Sequence, residues 1–190
     1  MYGTPLAQTI FSFTTIPYLG KTIFVTTGAW NGDLKTAGGG ANGTQGADNL
    51  CNNDAAKPAT PVGATYKAMI LSQERSGVPL LNWVLTPNTT YYNLSGQIIG
   101  TTNSSSVFDF PVSNSINNLS TTYYVWSGAY YDPWTPDQDG PSYYCNDWTT
   151  SSNSNIGDKG YVNSVTNTMM NAQIDNYHCN QLSYLYCAEQ

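Results

Sequence analysis

The stretch Cys145-Asn-Asp-Trp148-Thr149, followed downstream by Cys179-Asn-Gln-Leu-Ser-Tyr-Leu-Tyr-Cys187, holds three of the four cysteines of this chain. Trp148 and a run of β-forming residues lie beside them, which predicts a disulfide-stapled C-terminal sheet. The fourth cysteine stands far upstream in Gly46-Ala-Asp-Asn-Leu-Cys51, so at least one bridge ties the early part of the fold to its end. Four cysteines allow three pairings, and their order alone does not choose among them.

The chain has no CxxC pair, and its one histidine, His178, makes no zinc-like cluster with the cysteines. Disulfides persist only in oxidising compartments, so the expected location is extracellular, secreted or at the cell surface. At 190 residues, 40% hydrophobic and 13% aromatic, the chain is long enough to bury a core of its own. The expectation is one domain over 1–190, with 1–20 an N-terminal extension or edge strand and 21–189 the core. No run approaches the roughly 20 apolar residues of a membrane helix, so no membrane insertion is expected. Met1-Tyr-Gly lacks the basic start and apolar stretch of an export signal, which suggests that a leader has been removed and Met1 supplied.

Charged residues make up only 9% of the sequence and sum to −6, with a pI near 4.3, against a usual charged share of about 25%. Arg75 is the one arginine beside five scattered lysines, too little positive charge to neutralise a phosphate backbone. Nucleic acid is thereby excluded as a partner, as is an anionic membrane surface.

Along the chain, Thr9-Ile-Phe-Ser-Phe-Thr before Pro17 predicts a short strand, and Lys21-Thr-Ile-Phe-Val-Thr-Thr a stronger one. Gly38-Gly-Gly-Ala-Asn-Gly43 lacks the Lys-Ser/Thr ending of a phosphate loop and reads as a flexible connector. Ala47, Leu50, Cys51 and Ala55 fall at helical spacing over 45–56, ahead of Pro58. The compact run Thr65–Ser72 fits a strand or a buried helical turn equally well. In the Asn/Ser/Thr-rich region that follows, Ile98-Ile99 and Val107-Phe-Asp-Phe110 read as short strands. Further strands are expected at Tyr123–Trp126, Tyr143–Trp148 and Leu182–Cys187, with Trp126 and Trp148 in the core.

In order, Gly46-Ala-Asp-x-x-Cys51, Thr65-Tyr-Lys-Ala, Val125-Trp-Ser-Gly128, Asp139-Gly140, Cys145-x-x-Trp148-Thr149 and Cys179-x7-Cys187 resemble the framework of endostatin-type C-type-lectin-like domains. They are closest to a bacterial extracellular family of that fold whose function is largely uncharacterised. The resemblance runs from about Lys21 to Glu189. It implies an α+β domain with a small twisted antiparallel sheet, one or two helices and long loops. It also implies two nested disulfides, Cys51 with Cys187 and Cys145 with Cys179. The heparin-binding arginine face and the zinc site of endostatin do not carry over, because this chain has one arginine and one histidine.

The loop Ala129-Tyr-Tyr-Asp-Pro-Trp-Thr-Pro-Asp-Gln-Asp-Gly140 is the most suggestive segment. Asp132, Asp137 and Asp139, with Asn146 and Asp147 beyond, supply the hard oxygens that calcium takes. In C-type lectins the corresponding loop holds calcium and sugar, but the Glu-Pro-Asn or Gln-Pro-Asp signature survives only in part as Thr135-Pro-Asp137. The alternative is a polar turn whose Asp side chains cap their own backbone. Tyr130, Tyr131, Trp134, Tyr143 and Tyr144 crowd the same region, and their rings suit stacking on a neutral polar ligand.

His178 beside Cys179 is no catalytic pair, since a cystine sulfur is not a nucleophile. With no GxSxG or HExxH and no second histidine, no acid, base and nucleophile set is visible, so an enzyme is not expected. The expected function is non-catalytic, adhesin-like or lectin-like recognition of a glycan or surface protein. The binding set is Tyr130, Tyr131, Asp132, Trp134, Asp137, Asp139, Tyr143, Tyr144 and Asn146, with no cofactor required and calcium optional. A second expectation is a homo-oligomeric subunit of a surface layer, filament or appendage, assembling through its N-terminal strand.

Overall fold

The computed structural model describes residues 20–117, 123–172 and 177–190. The strand expected at Thr9–Thr14, and with it the assembly edge, lies outside the described residues. The rest is a mixed α+β fold with a small sheet, few helices and two disulfides. No helix among the described residues is long and apolar enough to cross a membrane.

The first described strand, β1 (Lys21–Val25), follows the sequence reading. Helix α1 (Leu34–Gly38) and helix α2 (Gly43–Asn53) come next. The glycine run between them is not a flexible connector. Gly39 closes α1 in the left-handed region at φ 63°, and a Cβ on Gly38 or Gly40 would collide with the backbone of Gly46. The glycines are there so that two helix backbones can touch. Asn42 caps α2 by accepting from Gln45 N at 2.8 Å. The helix stops at Asn53, short of Pro58, because Asp54 turns extended and its carboxylate takes the Thr27 and Gly28 amides.

Strand β2 (Tyr66–Ala68) resolves the ambiguity of the 65–72 run in favour of a strand. Strands β3 (Thr90–Tyr92) and β4 (Ile98–Thr101) follow. The run Val107–Phe110 forms no strand; Val107 and Phe108 instead plug the core from an irregular segment. Strand β5 (Tyr124–Trp126) pairs antiparallel with β6 (Lys159–Tyr161), and β7 (Tyr186–Glu189) ends the fold. The main sheet runs β2-β7-β1-β3-β4, with β1 and β3 parallel and the other pairs antiparallel.

Central β7 is buried at all four positions, as a strand covered on both faces must be. Alternation along β1 sends Ile23 and Phe24 into two different cores. Ile23 joins Tyr91, Ile99, Phe108, Trp134 and Tyr186 on one side. Phe24 joins Tyr66, the α1 and α2 residues Leu34, Ala47 and Leu50, and the pair Trp126 and Trp148 on the other. Cys51 on α2 is bonded to Cys187 on β7, and Cys145 to Cys179. This is the nested pairing that the resemblance implies.

The segment Tyr143–Trp148 departs from its expected strand. Pro141–Tyr143 is a 3-10 turn. Cys145, Asn146, Asp147 and Trp148 then all have positive φ, between 51° and 60°. Trp148 N donates to Tyr144 O and Thr149 N to Cys145 O, so the segment is one left-handed helical turn. Such a turn costs about 1–2 kcal/mol per residue for L-amino acids. Three anchors hold it: the Cys145 crosslink, Trp148 Nε1 donating to Leu71 O at 2.9 Å, and Asp147 accepting from Gln73 N at 3.0 Å. An adjacent glycine makes room, because a Cβ on Gly43 would strike Asp147 O and Trp148.

Candidate functional site

The 129–148 segment is a loop with a buried root and an exposed tip. At the root, Trp134 O accepts from Gly77 N and Val78 N, and Asp137 N donates to Gly128 O. The Trp134 ring stacks on Phe110 at 5.4 Å and meets Trp83 edge-on at 5.8 Å. Trp134, expected to stack on a ligand, is therefore only 6% exposed and its faces are taken by protein. Tyr144 is buried too, at 2%. Its hydroxyl is pushed up to about 12 by burial and then by Asp147, against a lowering hydrogen bond from Gln73. A large ring in a mainly apolar neighbourhood buries more area than it can gain at a surface, which is why these two went inward.

The tip is different. Tyr131 is 64% exposed and meets Tyr130 edge-on at 4.6 Å. Asp132, Asp139 and Asn146 are exposed, and Tyr143 is half-buried. The structure thus leaves six of the nine expected contact residues (Tyr130, Tyr131, Asp132, Asp139, Tyr143, Asn146) with surface to present, and withdraws Trp134, Asp137 and Tyr144.

The carboxylates divide in the same way. Asp132 Oδ1 accepts from Trp134 N at 2.8 Å and from Thr135 Oγ1 at 3.3 Å. Asp137 Oδ1 accepts from Asp139 N at 2.8 Å. Both are loop-capping turns of the kind short acidic side chains make. Asp137 is nevertheless 4% exposed, and its other oxygen has no partner among the described residues.

Facing Asp137 is Asp158, which the sequence reading passed over. It is 5% exposed, and its Oδ2 is also unpartnered. Burial pushes the Asp158 carboxyl up to about 8, with Asp137 and Asp139 adding to the rise. Burial and the neighbouring carboxylates therefore favour the protonated form of Asp158 at neutral pH. Among the described residues no group of three or more His, Cys, Asp or Glu side chains is arranged to hold a metal ion.

The next residue, Lys159, begins β6 and is 3% exposed, and its Nζ has no hydrogen-bond partner among the described residues. Its Nζ sits over the rings of Trp126 at 4.6 Å and Tyr124 at 5.1 Å, and against Tyr177. Burial pushes this amine down to about 6. Asp158 immediately precedes β6, and its carboxyl faces Asp137, whereas Lys159 Nζ lies among the Trp126, Tyr124 and Tyr177 rings. No sequence pattern announced either one, because an isolated Asp-Lys pair normally marks a solvated surface.

A second concavity, of about 500 Å³, lies between the start of α2 and the doubled-back segment 72–82. Arg75 forms its wall, held by both Asp48 oxygens at 2.8 and 2.7 Å and by Ala68 O at 2.8 Å.

No curated protein matches the chain. A family model does match, over residues 34–165, a span that includes α1, α2, the 72–82 segment, the 129–148 loop and the Asp137–Asp158 pair. The chain therefore belongs to the family described as protein of unknown function, DUF1554.

Proposed function

We propose that the protein is a C-type-lectin-like recognition module that acts outside the cytoplasm without catalysis. It binds a glycan or a surface protein through the tip of the 129–148 loop. The observation that carries this reading is the division within that loop. Trp134 and Asp137 fasten its root in the core, while Tyr131 stands 64% exposed at its tip beside Tyr130. A rigid ring on an anchored loop gives contact area with little ordering cost on binding. Asp132, Asp139 and Asn146 add hydrogen-bonding groups around it, and the two nested disulfides support the extracellular part of the reading. Calcium is optional, and Asp132, Asp137 and Asp139 are the carboxylates that would take it.

The test is binding of the full chain to a glycan array and a surface-protein panel, each with calcium and with chelator. Tyr131→Ala is expected to weaken the binding about tenfold or more while leaving the circular dichroism spectrum unchanged, as for an exposed aromatic anchor. Binding indifferent to Tyr131→Ala would overturn the loop reading.

A further inference from the structure

We infer that the concavity between α2 and the 72–82 segment is a second binding site, built for a neutral saccharide. It goes beyond the loop surface proposed above and shares none of its contact residues. The argument is an inventory of hydrogen-bonding groups that the fold orients and then leaves unused.

Asn42 Oδ1 is committed to capping α2, accepting from Gln45 N at 2.8 Å and Thr44 Oγ1 at 3.1 Å. A flip of its amide would lose the Gln45 bond, so Nδ2 is held as a donor, with no acceptor among the described residues. Asn82 is fixed in the opposite sense. Its Nδ2 donates to Glu74 O at 3.1 Å, which leaves Oδ1 as an acceptor. Glu74 Oε2 lies 3.4 Å from Thr44 Oγ1, sharing with Asn42 Oδ1 the one proton that hydroxyl can donate, and Oε1 is left open. Lys67 is exposed at the rim, and Leu81, 43% exposed, supplies an apolar patch.

Donors at Asn42 and Lys67 and acceptors at Asn82 and Glu74 thus line one concavity together with the apolar Leu81. Sugar hydroxyls each donate and accept, and the C–H face of a pyranose is apolar, so a saccharide satisfies the whole set. The charges of Lys67 and Glu74 cancel, and Asp48 neutralises Arg75. A phosphate would meet the Glu74 carboxylate and a cation would meet Lys67, so the lining favours a ligand with no net charge. A volume of about 500 Å³ accommodates one or two sugar rings.

The site also has a rigid frame. The Ser72–Arg75 and Ser76–Leu81 bridges double the segment back on itself, and Gln73 N is tied to Asp147 in the left-handed turn. Sequence reading missed the site because its residues come from four separate places in the chain.

The experiment is an amide-resolved NMR titration of the isotopically labelled full chain with lactose, maltose and N,N′-diacetylchitobiose, and with inorganic phosphate for comparison. The expected result is saccharide-dependent shifts at Gly43, Thr44, Gln73 and Asn82. Asn42→Asp, which keeps the cap but replaces the donor, and Glu74→Gln should each weaken binding about tenfold, one hydrogen bond's worth. Lys67→Met is the companion variant should the cap change disturb folding, since the Lys67 side chain is exposed. Tyr131→Ala should leave these shifts unchanged. Saccharide shifts confined to 130–146 would overturn the pocket and leave the loop reading standing. No saccharide shift, or phosphate alone shifting the pocket, would overturn the pocket as well.

Discussion

Asp158, which immediately precedes β6, and Lys159, its first residue, are both buried and displaced in opposite directions, the acid up to about 8 and the amine down to about 6. Between the ordinary carboxyl value of 3.8 and about 8, the folded state holds a proton at Asp158 that the unfolded chain has released. Stability therefore falls as pH rises through that window. Between about 6 and the ordinary amine value of 10.5, the unfolded chain holds a proton at Lys159 that the folded state lacks, so stability rises. The two slopes oppose one another between pH 6 and 8. Urea midpoints should fall from pH 4 to 6, stay level to pH 8, then rise toward 10. Asp158→Asn should abolish the fall and Lys159→Met the rise; a fall that persists in Asp158→Asn would contradict the assignment. Asp48 makes a different prediction. Its carboxylate takes both Arg75 nitrogens and the Ala68 amide. Asp48→Ala strands the guanidinium, whose side chain is 6% exposed, and should cost about 3–5 kcal/mol in denaturant unfolding. Adding Arg75→Met to that variant should recover much of the loss, because an apolar pair of similar volume carries no stranded charge.

The left-handed turn Cys145–Trp148 is the element least legible in the sequence. Tyr-Tyr-Cys-Asn-Asp-Trp has the aromatic content of a strand, and only Asn146-Asp147 hints at the left-handed region that those two residues tolerate. What decides the outcome is tertiary: the crosslink, the Trp148 bond to Leu71 and the Asp147 bond to Gln73. Asn146 is exposed at φ 51°, so Asn146→Val should cost about 1–2 kcal/mol in thermal or denaturant unfolding. Asn146→Gly should stay within about 0.5 kcal/mol, since relief of strain is set against greater freedom of the unfolded chain. Equal stability of the two variants would refute the left-handed turn. Elements whose signal is local were readable: β1 from its apolar run, α2 from Ala47, Leu50 and Cys51, and β5 from Tyr-Val-Trp. Strands β3 and β6 were not, because Thr90-Tyr-Tyr92 and Lys159-Gly-Tyr161 are three residues long and are made strands by their neighbours. The site follows the same rule. Composition named Tyr131 and Asn146, which the fold leaves exposed, whereas burial of Trp134 and Tyr144, the Asp158 partner and the α2 pocket depend on contacts between distant segments.

Two crosslinks, one inside the other, join these parts into one molecule. The outer one closes a separation of 136 residues between α2 and β7, and the inner one closes 34 residues between the left-handed turn and the approach to β7. Loop-closure entropy puts the outer bridge near 5 kcal/mol and the inner near 4 kcal/mol. The two do not add fully, because the inner loop is already confined once the outer is closed. Replacing Cys51 and Cys187 by Ala should therefore lower the denaturation midpoint more than replacing Cys145 and Cys179. The inner replacement should act chiefly on the turn that adjoins the α2 pocket. Both the 129–148 loop and the α2 concavity adjoin elements that this covalent frame ties together. The most direct test is peptide mass mapping of unreduced protein, alkylated at once on isolation from the cells that make it. The account predicts crosslinked peptides joining Cys51 to Cys187 and Cys145 to Cys179, with no alkylated cysteine. Alkylated thiols, or any other pairing, would contradict it.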